Sequence, residues 1–96
     1  MNPAARDVLA ERRRQIEAEG WTPEHDDKHV SGHLVQAARC YLLHGRGGLA
    51  PMQTAPVVWP WDARWWKPTG RRRDLVKAAA LILAEIERMD RMETQQ

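Results

Sequence analysis

Apolar residues recur at helical spacing in three stretches of the 96-residue chain, and that spacing is lost between the second stretch and the third. Ala5, Val8, Leu9 and Ile16 form a narrow apolar stripe in a run of good helix formers, which predicts a surface helix over about 3–19 with one side docked. Asn2-Pro3 supplies an N-cap and a proline at the first helical position, and Gly20 stands where a left-handed residue ends a helix. Trp21, one residue on, is then placed to fold back on Ile16. Arg12-Arg13-Arg14 interleave with Glu11, Glu17 and Glu19, the pattern of a solvated, salt-paired face.

Thr22-Pro23-Glu24 repeats the starting signal and predicts a second helix over about 23–44. Its core face is Val30, Leu34, Ala37, Ala38, Tyr41 and Leu42, with Val35 beside it and Gly32 as a weak point. His44 is expected at the helix end, against the last carbonyls. The third helix is expected over about 70–91. Leu75, Ala79, Ile82, Ile86 and Met89 read as its core face, widened by Val76, Ala80 and Leu83. Residues 78–84 are apolar nearly all round, which calls for burial on several sides and for a homo-oligomer in so short a chain. The fold class is mainly α. A single compact three-helix domain spans 1–96, with a long Trp/Pro-rich connection over about 45–69.

That connection is the unusual part of the chain. From Pro56 to Arg73 it holds four of the five tryptophans, prolines at 56, 60 and 68, and a closing Arg71-Arg72-Arg73. Proline lacks an N–H and restricts the residue before it, so the backbone should run extended or turned until a helix can start near Gly70. With no Phe and one Tyr, tryptophan must also supply most of the large aromatic packing. Trp65 and Trp66 are neighbours that cannot both point inward. Gly45-Arg46-Gly47-Gly48 is glycine-rich but lacks the preceding strand and the Lys-Ser/Thr of a phosphate loop.

Charge sharpens the picture. The net charge is only +2, yet residues 59–73 carry a local +4 and residues 74–96 a local −2. Such focusing suits a compact anionic ligand better than long nucleic acid, which calls for a broader basic face. The lone Cys40 excludes an internal disulfide and fits a reducing compartment, and no stretch is long and apolar enough for a membrane span. A cytoplasmic protein is expected.

Bases stack on indoles, and phosphate oxygens accept forked bonds from Arg. The candidate ligand-binding residues are therefore Trp59, Trp61, Arg64, Trp65, Trp66, Lys67, Arg71, Arg72 and Arg73. Three arginines in a first helical turn oppose the helix dipole, which suggests that an anion occupies that helix start. His25, His29 and His33 repeat every four residues beside Asp26 and Asp27, a spacing that places two imidazoles on one helix face. No third and fourth ligand accompany them, so no metal or other cofactor is assigned.

Glu19-Gly20-Trp21-Thr22-Pro23-Glu24-His25-Asp26-Asp27, Trp59-Pro60-Trp61-Asp62, Trp65-Trp66-Lys67-Pro68 and Arg72-Arg73-Asp74-Leu75-Val76-Lys77-Ala78 resemble a group of short accessory proteins of tailed phages and prophages. A second likeness is to the ryanodine-receptor-type repeat of prokaryotic defence proteins, carried by Gly20-Trp21, Asp27-Lys28-His29, Trp59 to Trp66 and Arg73-Asp74. Thr22-Pro23 and Val30 depart from that repeat, and residues 30–44 read as helix. The likeness implies binding of a nucleotide-derived signal.

The expected function is thus non-enzymatic binding of a small anionic nucleotide, as in a phage protein that sequesters a cyclic-nucleotide immune messenger. One alternative is a small all-α, metal-dependent nucleotide hydrolase of the MazG-like kind, with Asp26, His29, His33 and Asp74 as metal shell. It lacks that family's paired acidic clusters. Another is an adaptor that presents the tryptophans to a host protein.

Overall fold

The computed structural model describes residues 1–21 and 32–94. The expected helix start at Thr22-Pro23 and the residues His25, Asp26, Asp27, His29 and Val30 lie outside the described residues. Among the described residues the regular structure is three α-helices and one short 3-10 turn: α1 (Pro3–Glu19), α2 (His33–His44), the turn Ala63–Trp65 and α3 (Arg71–Thr94). No strand occurs among the described residues.

Local signals set the ends of α1. The Asn2 side chain accepts a 2.8 Å bond from the Ala5 amide, and Pro3 follows it. Gly20 sits at φ 72°, so that its amide and that of Trp21 both close on the Gln15 carbonyl. The Trp21 indole packs beside Trp61 and Trp65 in an aromatic cluster. Helix α2 is shorter than its periodicity suggests. Gly32 adopts φ 82°, a left-handed conformation that no helix interior tolerates, and α2 starts after it.

Helix α3 packs against both α2 and α1. Leu34, Ala37, Ala38, Cys40 and Tyr41 of α2 are buried with Ala78, Leu81 and Ala84 of α3 and with Trp21, Trp59 and Trp66. The core face of α3 agrees with the one expected at Val76 and Ala80, which are buried, but not at its large aliphatic residues. Leu75, Ile82, Ile86 and Met89 are 37%, 41%, 49% and 55% exposed, while Ala78, Leu81 and Ala84 are buried. Bulk explains the exchange. Three tryptophans are the largest side chains of the core, and close packing beside such bulk favours small residues such as the buried alanines.

The docked side of α1 is also unlike the expected stripe. Glu11, Arg12, Gln15 and Glu19 are buried, whereas Leu9 is about half exposed. Glu11 receives both Arg14 bonds at 2.8 Å and a contact from Arg73. Arg12 bonds Glu87 at 3.1 Å and the Trp21 carbonyl at 3.2 Å. The salt pairing expected of this run is present, but much of it is buried against α3. Leu42 and Val35 of α2 are exposed rather than part of the core.

Candidate anion-binding cleft

Downstream of α2 the chain turns back over the helix end. Gly45 donates to the Tyr41 carbonyl at 3.1 Å, Ala50 to Leu43 at 2.9 Å and Met52 to His44 at 2.9 Å. Gly47 takes φ 74°, a conformation that favours glycine, and a Cβ there would crowd the stem of Arg71 at 3.0–3.3 Å. Arg71 reaches on to the Leu42 carbonyl at 3.4 Å, a cation near the negative end of α2. His44 bonds the Ala50 carbonyl through Nδ1 at 2.7 Å, so it ties down the returning loop rather than its own helix end. That bond fixes the proton on Nδ1 and turns Nε2 outward as acceptor in the neutral ring.

Between this loop and residues 66–68 lies an open cleft of about 660 Å³, lined by His44, Arg46, Gly47, Pro51, Met52, Gln53, Trp66, Lys67 and Pro68. Its size is that of a small-molecule site. Both walls are braced by one buried pair. Asp74, fully buried, accepts the Arg46 amide at 2.8 Å from one wall and the Thr69 amide at 3.0 Å from the other. Lys77 stands 3.6 Å from Asp74 and donates to the Lys67 carbonyl and, at 3.2 Å, to the Thr69 hydroxyl. Burial pushes the Lys77 ammonium below the usual lysine range, with Asp74 partly offsetting it.

An indole forms the floor. Trp66 stacks on Tyr41 at 4.7 Å between centroids, and its N–H bonds the Met52 carbonyl at 3.2 Å. The Tyr41 hydroxyl accepts the Lys67 amide at 3.2 Å, and burial holds its pKa well above the usual phenol range. The floor and both walls are therefore held by hydrogen bonds independent of any ligand.

The expected binding residues divide sharply. Trp66 and Lys67 line the cleft, and the stem of Arg71 lies against its Gly47 rim. Trp59 is buried, edge-on to Tyr41 and Trp66, and its N–H caps the Asp62 carbonyl at 3.1 Å. Trp61 packs on Trp21 with centroids 4.7 Å apart. Trp65, half-buried where its neighbour Trp66 is fully so, has the cations of Arg64 and Lys67 about 5 Å from its ring centre, at 5.2 and 5.1 Å. Arg72 pairs with Asp7 at 2.9 Å, and Arg73 with Glu11. The anions at the start of α3 are thus carboxylates of α1.

His44, Arg46 and Met52 were not among the sequence candidates, and the Gly45–Gly48 run was the only local signal for them. Arg46 is exposed, with no carboxylate partner for its guanidinium among the described residues. Lys67 shares Glu19, at 3.4 Å, with Arg14. The lining brings three basic side chains, His44, Arg46 and Lys67, beside the Trp66 ring, a combination suited to an anion with an apolar or aromatic part. Of the alternative metal shell, Asp26 and His29 lie outside the described residues. His33 opens α2, and the Asp74 oxygens are engaged as above; among the described residues no three His, Cys, Asp or Glu side chains group as metal ligands. Comparison with known protein families, with curated proteins and with solved structures finds no match.

Proposed function

We propose that the chain is a non-enzymatic binder of a small phosphate-bearing nucleotide, held in the cleft between residues 44–53 and 66–68. The observation that carries this reading is the exposed Arg46 guanidinium beside the Trp66 wall of a pre-braced cleft, with His44 and Lys67 on the same lining. Arg46 forks onto a phosphate, Lys67 adds a donor, and the indole edge covers the base or sugar. Charge-assisted bonds contribute about 1.5–3 kcal/mol each, and a rigid cleft lowers the ordering cost of capture. The likeness to phage accessory proteins gives this binding a purpose: stoichiometric withdrawal of a cyclic-nucleotide immune messenger.

The test is calorimetric titration of the full chain with a panel of cyclic di- and oligonucleotides, with linear dinucleotides and inorganic phosphate as controls. Saturable binding of one nucleotide, recovered unaltered after heating the complex, is expected. No binding across the panel, or conversion of the bound nucleotide to a product, overturns the proposal.

A further inference from the structure

Around α3 two faces have opposite characters. One turns Asp74, Lys77, Ala78, Leu81, Ala84 and Arg88 inward. The other carries Leu75, Ala79, Ile82, Ile86 and Met89, and its four large residues are 37–55% exposed. These five positions follow the alternating four- and three-residue spacing of a heptad seam, about 21 Å long at 1.5 Å per residue. A row of large aliphatic side chains at seam spacing exceeds the scattered apolar exposure of an ordinary surface.

We infer that this face is the contact surface of a symmetric dimer in which α3 packs antiparallel on α3 of a second copy. Charge distribution selects both the occupant and the direction. Arg71 continues the seam one turn before Leu75, and Glu93 continues it one turn after Met89, so the face carries a cation at one end and an anion at the other. Antiparallel pairing about Ile82 sets Leu75 opposite Met89 of the second copy and Arg71 opposite its Glu93. Parallel pairing would set arginines against arginines and align the two helix dipoles unfavourably. An isologous contact needs a self-complementary surface, and a seam centred on Ile82 with opposite charges at its ends is one. The helix is already fixed by α1 and α2, so pairing incurs no cost of helix formation. This inference is independent of the proposed ligand.

The test is sedimentation of the full chain at micromolar concentration, together with cysteine cross-linking. The wild type should sediment at twice its 11.1 kDa mass, and the Ile82→Glu/Ile86→Glu variant at the monomer mass with its helical circular dichroism retained. Cys40 is buried and leaves the cross-linking background low. An equimolar mixture of Leu75→Cys and Met89→Cys proteins should oxidise to a covalent heterodimer, while Leu75→Cys alone stays uncross-linked because its two copies lie about 21 Å apart. A monomeric wild type overturns the inference, as does a dimer that survives the double glutamate substitution. Efficient cross-linking of Leu75→Cys alone overturns the antiparallel direction.

Discussion

Two basic regions lie close together and have different jobs. Arg72 and Arg73, in one of the two runs of three arginines, are paired to Asp7 and Glu11 and fasten α1 to α3. Arg46, alone among glycines and unremarkable in sequence, projects from a braced loop with no carboxylate partner among the described residues. Charge density along a sequence therefore does not measure what is available to a ligand. Availability depends on which acids the fold brings near: α1 brings Asp7 and Glu11 to the start of α3 and Glu19 to Lys67, but among the described residues none to Arg46.

The largest effect should come from breaking the brace that separates the two regions. Asp74→Ala removes the acceptor shared by the Arg46 and Thr69 amides and leaves Lys77 buried without its counter-charge. A loss of about 3–5 kcal/mol is expected, as for other buried pairs deprived of one partner. Urea unfolding measures it, and wild-type stability in this variant would show that the cleft walls do not depend on Asp74.

Glu11 tests the structural region itself. Glu11→Gln should cost about 1–2 kcal/mol at neutral pH, less than a wholly buried pair because Arg14 and Arg73 reach solvent. Burial raises the Glu11 carboxyl, but bonds from Arg14 and the nearby Arg73 outweigh this and hold it below its ordinary value of 4.5. A depressed folded-state pKa contributes stability that is complete above the unfolded value and lost as pH falls through the folded one. The gap between wild type and Glu11→Gln should therefore narrow below about pH 4.5, and melts over that range read it directly. A gap that widens on acidification would reverse the assignment.

The comparison also shows where sequence reasoning reaches and where it stops. The span of α1 was legible because its signals are local: a capping Asn2, a first-turn Pro3 and a left-handed Gly20. The start of α3 was legible for the same reason, from the prolines that end before it. Periodicity identified an aliphatic face on α3 but could not say which face the rest of the domain would cover. Ala78 and Ala84 face inward in a core whose bulk comes from side chains far away in sequence, Trp21, Trp59 and Trp66 among them. Gly32 was visible as a weak point, yet its left-handed conformation, which shortens α2, depends on the chain around it.

The cleft was illegible for a different reason. Its two walls are separated in sequence and are joined by a non-local bond, Trp66 to Met52, while the Met52 to His44 bond folds the first wall back on itself. No spacing rule anticipates such a site. The tryptophans were legible as a group, and the adjacency of Trp65 and Trp66 did foretell that they would be buried unequally. Their division between core and cleft wall required the fold.

The most direct measurement sets the two regions against each other with one ligand. Arg46→Ala and Arg72→Ala proteins, titrated side by side with the nucleotide that saturates the wild type, should separate cleanly. Arg46→Ala should weaken binding by at least about tenfold, the equivalent of 1.4 kcal/mol, with its melt unchanged. Arg72→Ala should bind within about twofold of wild type while its α1 docking loosens. Retained affinity in Arg46→Ala, with affinity lost in Arg72→Ala, would contradict the account and return the site to the arginine run.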